Sequence, residues 1–186
     1  MQEWNFIKCN DTVPSLKWKN GKLDGVKLIK PGIYDDYRGA YIETYDKNKY
    51  ENILDNITFV QDDISISRKN VLRGLHGNYK TSKLVSIFHG AVYALIADNR
   101  PESKTYKQWE AYTLSVENRL QLFVPAGLGN SMLALTDNAV YYYKQDTHFE
   151  SGTQFTIQWN DPSWNFWWPI DNPILSQRDF YGKYID

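Results

Sequence analysis

The residues with the most chemical potential lie in Asn70-Val71-Leu72-Arg73-Gly74-Leu75-His76-Gly77-Asn78, followed closely by Lys80 and Lys83. An imidazole can take and return protons near neutral pH. A guanidinium three residues earlier supplies a fixed cation, so Arg73 and His76 could pair a phosphate contact with a base. Val71, Leu72 and Leu75 bury well. Arg73 and His76 must then face a polar hollow or find buried partners. Gly74 and Gly77 bracket the imidazole, so the chain can bend there or let a neighbour approach closely. The plainer alternative is a strand with an edge arginine and a hydrogen-bonded core histidine.

Other chemistries lack support. The chain has three histidines, His76, His89 and His148, and none forms a His-x-His pair. No Cys/His cluster has the spacing of metal ligands, so a metal centre is not expected. Neither a phosphate-cradling glycine loop nor a Gly-x-Ser-x-Gly elbow occurs. General acid–base catalysis remains. His76 is the natural base, and a carboxylate would orient it and balance its charge. A lysine could steady an oxyanion and a tyrosine could return a proton. Spacing alone leaves several candidates for each of these last three roles.

The elements that would position such groups are short strands. Residues 26–29, 40–45, 57–61, 84–88, 91–97, 109–114, 120–124, 132–135, 139–143 and 155–159 are apolar, aromatic or alternating. Asn99-Arg100-Pro101 and Pro125-Ala126-Gly127 read as turns. Residues 34–39 read as a loop, and Asp62-Asp63 as a solvated strand end. Residues 47–55 are the best helix candidate, with Asp46 as cap. Trp159, Trp164, Trp167 and Trp168 read as a plug over an open barrel end. The expected fold is all-β, a jelly-roll sandwich or barrel with a few short helices. One domain spans residues 1–186, with residues 1–21 as an extension that could dock as a strand on a neighbour.

Composition narrows the partners. The formal net charge is −1, which gives nucleic acid no electrostatic footing. No apolar run approaches a membrane span, and no signal peptide is read at the start. The single cysteine, Cys9, fits a reducing compartment such as the cytoplasm. Aromatics make up 16% of the chain, enough for walls around a sugar or nucleobase, although such residues serve first as core.

An ordered set of motifs carries a family resemblance over roughly residues 22–179. It comprises Asp36-Tyr37-Arg38-Gly39 with Glu43, Phe59-Val60-Gln61-Asp62, Val71-Leu72-Arg73-Gly74-Leu75-His76 and Lys83-Leu84-Val85. Asp98-Asn99-Arg100 with Ser103 and Thr105, Leu114-Ser115 with Glu117-Asn118, and Val124-Pro125 follow. Tyr143-Lys144, Trp159-Asn160-Asp161-Pro162 and Leu175-Ser176-Gln177-Arg178-Asp179 complete it. With these the chain resembles the dTDP-4-dehydrorhamnose 3,5-epimerase family of cupin-fold enzymes. Three segments, residues 73–77, 129–131 and 139–144, look most like relatives that act on GDP-4-keto-6-deoxy-heptoses in capsule synthesis.

The resemblance implies a cofactor-free epimerase of nucleotide-linked 4-keto-6-deoxy sugars, working as a homodimer. It implies His76 as base, Asp179 as its carboxylate partner, Lys83 facing the C4 oxygen and Tyr143 as the acid on the opposite sugar face. Arg38 and Arg73 match diphosphate-holding arginines, Glu43 and Gln61 match nucleotide contacts, and Tyr34 stands where an aromatic stacks on the base. There is one departure. Where the family commonly carries a histidine followed by glycine, this chain reads Asn130-Ser131. An amide can bond a sugar hydroxyl but cannot shuttle a proton. Rival readings are a 3,4-ketoisomerase of the same fold and a non-catalytic sugar-binding jelly roll.

Overall fold

The computed structural model describes residues 15–182; Cys9 and most of the N-terminal extension lie outside them. Thirteen strands and two short helices are described. In chain order they are β1 (Lys17–Asn20), β2 (Lys27–Lys30), β3 (Gly32–Asp36), β4 (Gly39–Glu43), α1 (Lys47–Tyr50), β5 (Gln61–Ser67), β6 (Leu72–Gly77), β7 (Lys83–His89) and β8 (Ala91–Asp98). After them come β9 (Trp109–Ser115), β10 (Gln121–Val124), β11 (Leu128–Ala134), β12 (Ala139–Gln145), β13 (Phe155–Thr156) and α2 (Gln177–Tyr181). A six-stranded sheet runs β1-β2-β10-β7-β12-β5 and a five-stranded sheet runs β13-β6-β11-β8-β9. The strand pairs in both sheets are antiparallel. This is the expected all-β, cupin-type jelly roll.

Alternation along the strands builds the layers. Val85, Ile87, Leu122, Val124 and Tyr141 of the first sheet meet Val92, Ala94, Ile96, Met132 and Ala134 of the second in the core between them. The opposite faces need their own cover. On the six-stranded sheet, Ile29, Leu84 and Phe123 are roofed by Tyr50 and Leu54. On the five-stranded sheet, Leu95 and Ala97 are roofed by Ile157 and Trp164, with Phe166 and Trp168 packed beside them. The tail tryptophans therefore do not plug an open end. They blanket the outside of a sheet whose second face is as apolar as its first.

Three local expectations change. The helix starts at the Asp46 cap, whose carboxylate accepts from the Asn48 N–H, but regular helix ends at Tyr50 and turns continue to Asn56. Asp55 and Asn56 adopt φ of 53° and 61°, a region short polar residues tolerate. Residues 57–60 are not a strand. Ile57 and Phe59 pack into the outer roof, and the ladder with β12 begins only at Gln61. Residues 34–39 are not a loop but the heart of a β3–β4 hairpin, turned at Tyr37-Arg38 and closed by Gly39 at φ 125°. At the other end, β1 uses part of the extension to pair with the chain's own β2.

Candidate active site

A bulge places the histidine. In the β6–β11 ladder, His76 stands opposite Asn130 and Arg73 opposite Met132, so three steps on one strand match two on the other. Strict alternation would send Arg73 and His76 to opposite faces. The bulge returns both to the face that holds Met132, inside the sandwich. Gly74 makes this possible. Its φ is +114°, and a Cβ there would stand 2.6 Å from the Asn130 carbonyl oxygen and 2.8 Å from Ser131 Cα.

The C-terminal segment brings the carboxylate. Ile174 bridges to Val71, and the Leu72 N–H donates to the Ile174 carbonyl at 3.0 Å. Ser176 then caps α2 and donates its hydroxyl to Asp179 Oδ2 at 2.8 Å, while the Asp179 N–H donates back to Ser176 Oγ at 3.1 Å. Asp179 Oδ1 accepts from the Gly74 N–H at 3.3 Å and lies 2.6 Å from His76 Nε2. The two atoms approach closely without the geometry of a linear hydrogen bond. Burial alone would raise the Asp179 carboxyl, but His76, Ser176 and the Gly74 N–H together hold it below its ordinary pKa.

His76 opens into a cleft that it shares with Lys83, Asn130, Gln154, Thr81 and Asn78. Lys83 comes from the opposite sheet, at the start of β7. Its ammonium stands 4.5 Å from the centre of the Tyr143 ring, a cation–π contact. Burial pushes Lys83 down to about 8; Asp63 pulls it up and Arg178 pushes it further down. Burial raises Tyr143 to about 12, and the negative charge of Asp63 adds to the rise. Asn130 meets the buried Tyr141 hydroxyl through its side-chain amide, with Nδ2 at 3.0 Å and Oδ1 at 3.2 Å. Burial drives Tyr141 well above the ordinary phenol range, so it stays neutral and serves as a fixed partner for that amide.

Asp63 is the site residue that sequence reasoning missed. Within β5 the inward set is Gln61, Asp63, Ser65 and Ser67, while Asp62 faces outward to Lys144 at 2.7 Å. Asp63 sits opposite Tyr143 in the ladder, and its Oδ2 accepts from the Gln61 amide at 2.9 Å. Two adjacent acids look like one solvated strand end. Only the start of the strand, at Gln61, reveals that they part to opposite faces.

The other expected residues divide. Arg73 lies on the inward side and donates to Ser67 Oγ at 3.0 Å. Gln61 lies beside Asp63 and accepts from the Phe149 N–H at 2.8 Å. Tyr34, Arg38 and Glu43 belong to the β3–β4 hairpin, a two-stranded sheet of its own, and none of them lines the His76 cleft. There Tyr34 packs edge-on against Tyr41, Arg38 pairs with Asp36 at 2.5 Å and Glu43 pairs with Lys49 at 2.6 Å. Among the described residues, no three His, Cys, Asp or Glu side chains converge as a metal cage.

The jelly roll thus sets a histidine–carboxylate pair and a buried ammonium around one cleft, groups suited to acid–base chemistry. Comparison with known proteins makes the class specific. Residues 20–186 match the family model described as dTDP-4-dehydrorhamnose 3,5-epimerase. The chain is 35% identical over 170 residues to the dTDP-4-dehydrorhamnose 3,5-epimerase of Shigella flexneri, covering 89% of this chain and 94% of that one. Among solved structures, a dTDP-6-deoxy-D-glucose-3,5-epimerase from Legionella pneumophila in complex with dTDP-4-keto-L-rhamnose superposes with a TM-score of 0.86. It is 35% identical, over 91% of this chain and 92% of that one. A 3'-monoepimerase from Streptomyces bikiniensis, in complex with dTDP-quinovose, superposes with a TM-score of 0.84 at 25% identity, over 88% and 85%. The chain belongs to the dTDP-4-dehydrorhamnose 3,5-epimerase family and is an isomerase of the nucleotide-sugar epimerase type.

Proposed function

We propose that this chain epimerises C3, C5 or both in a nucleotide-linked 4-keto-6-deoxy sugar, for the synthesis of surface polysaccharide. The observation that carries the reading is the His76–Asp179 approach at 2.6 Å at the rim of a cleft shared with Lys83. His76 takes the proton from the carbon beside the ketone. The electron pair moves into the C–C bond and charge gathers on the C4 oxygen, where the Lys83 ammonium stabilises it. Asp179 balances the imidazolium. Tyr143, carried on the sheet opposite β6, returns a proton to the other face of the ring and inverts the carbon. Each acid–base group of this kind is worth on the order of 10²–10⁴-fold in rate. No cofactor enters these steps.

Arg73 holds the diphosphate and Gln61 contacts the nucleotide in this reading, each from the inward side of its strand. Tyr34, Arg38 and Glu43 take the same duty from the hairpin, which stands apart from the chain's own cleft. A homodimer resolves that separation by lending each hairpin to the other copy. The outer face of the β5–β12–β7 edge supports a second copy, because Ile64 and Ile66 are 59% and 62% exposed beside the stacked Phe88 and Tyr142. The relatives are named for dTDP sugars, whereas the motifs at residues 73–77, 129–131 and 139–144 look like those of enzymes acting on GDP-heptoses. A cytoplasmic location accords with the single cysteine.

Incubation with dTDP- and GDP-4-keto-6-deoxy sugars in heavy water tests the proposal. Deuterium should enter at one or both carbons flanking the ketone, the carbonyl should stay at C4, and His76→Asn should abolish the exchange. Undiminished exchange in His76→Asn would falsify the base assignment. Migration of the carbonyl to C3 would replace epimerisation with ketoisomerisation.

A further inference from the structure

We propose that Asp63 is a positioning residue for this reaction: facing inward across the ladder from Tyr143, it is the counter-charge for the Lys83 ammonium that lies over the Tyr143 ring. The inference rests on the epimerase reading for its purpose, but its physical content stands on the ladder geometry. Across β5, β12 and β7, Asp63, Tyr143 and Val85 form one rung, and Gln61, Gln145 and Lys83 form the next on the same face, two residues along. The Lys83 stem starts two rungs away from Tyr143, and its ammonium lies over the Tyr143 ring. Asp63 stands directly across the ladder from the same ring, on β5. The phenol thus has a cation over its face and a carboxylate on the neighbouring strand.

The charges around Lys83 come from four elements. Asp63 on β5 is the anion. Arg178 on α2 opposes it, held by Thr156 at 2.9 Å and Gln154 at 3.1 Å. Tyr143 on β12 contributes its neutral ring, and His76 on β6 shares the cleft. Burial disfavours an ammonium here, and so does Arg178. Asp63 is the group that works the other way. Gln61 donates to it and fixes its direction. An enolate oxygen is stabilised by a charged lysine and far less by a neutral amine, so Asp63 sets the pH range over which the oxyanion partner functions.

Direct titration of Lys83 is the test. Protein labelled with ¹³C and ¹⁵N at lysine is titrated by NMR, following the side-chain Cε and Nζ shifts, with Lys83→Met to assign the signal. Asp63→Asn keeps the shape and removes the charge. It should lower the Lys83 midpoint by about one pH unit, and Arg178→Gln should raise it. Asp63→Ser is the second variant should the amide perturb folding. The alkaline limb of the exchange rate should move with the midpoint, with kcat falling and KM little changed at pH 8, and Asp63→Glu should restore most of the shift. An unmoved midpoint in Asp63→Asn or Asp63→Ser, or shifts of the same sign in the Asp63 and Arg178 variants, overturns the proposal. Absence of exchange in the unaltered enzyme would instead sink the functional reading, while the lysine titration still decides the charge partnership.

Discussion

Arg73 and His76 sit three residues apart on one strand and yet share a face, because their ladder partners Met132 and Asn130 are only two residues apart. An imidazole and a fixed cation therefore come from a single short strand onto one inward face. The bulge at Gly74 is what the site depends on locally.

Replacing Gly74 with alanine should disturb both stability and chemistry. The position holds φ +114°, and the added methyl would meet the Asn130 carbonyl and the Ser131 backbone. Backbone strain alone costs about 1–2 kcal/mol, and the clash with unyielding backbone adds to it. Urea denaturation should show a loss of at least about 2 kcal/mol, with the exchange rate falling further than stability accounts for because His76 is moved.

Asp179→Asn should lower kcat by about 10²-fold or more and alter acid stability. The folded-state pKa of Asp179 lies below its ordinary 3.8. Its contribution is thus fully present above that value and is lost as pH falls through the depressed one. Thermal melts across pH 2–7 should show the variant less stable than the parent at neutral pH, with the gap narrowing below about pH 4.

Lys83→Met should separate function from stability. The folded protein releases the Lys83 proton near pH 8, whereas the unfolded chain keeps it to about 10.5. The native state therefore binds fewer protons in that window, and stability rises with pH across it. Below pH 8 the buried ammonium is a standing cost. Its removal should raise stability at pH 7 by about 1–3 kcal/mol in denaturant titrations, while exchange of the sugar proton is lost.

Asp98→Asn should loosen the turn after β8. The fully buried Asp98 carboxylate receives Arg100 at 2.7 Å and the hydroxyls of Ser103 and Thr105 at 2.6 Å each. Burial would raise its pKa, but these donors overcome it and bring the group to about 2. The stabilisation is complete above 3.8 and disappears as pH falls toward 2. The amide should cost about 1–3 kcal/mol at neutral pH, and proteolysis should cut first between Asn99 and Lys107.

Legibility in the sequence followed locality. His76 was legible as a candidate base, set between two glycines in an apolar strand, but a hydrogen-bonded core histidine fitted the same residues and only the family motif favoured the base. The jelly roll was legible from the many short alternating segments and their Gly/Pro turns. Asp179 was not legible from spacing, since it reaches His76 only through a capped helix at the far end of the chain; the family motif alone named it. Asp63 was lost because the expected strand stops at Gln61, where β5 in fact begins, so the two acids fall outside it and the alternation that parts them is not applied. The hairpin at residues 32–43 was read in part as loop because acids, an arginine and a glycine resemble a solvated turn. The tryptophan blanket was misplaced because one sequence cannot show that both faces of a sheet are apolar.

The parting of Asp62 from Asp63 gives the β5 edge an unusual role. An edge strand bonds to a single neighbour, so its alignment is normally the most forgiving in a sheet. Here a slip of one residue would exchange Gln61, Asp63, Ser65 and Ser67 for Asp62, Ile64 and Ile66, greasing the catalytic hollow and stranding polar groups on the outside. Mutations that merely relax this margin can therefore silence the enzyme while leaving every reacting side chain in place.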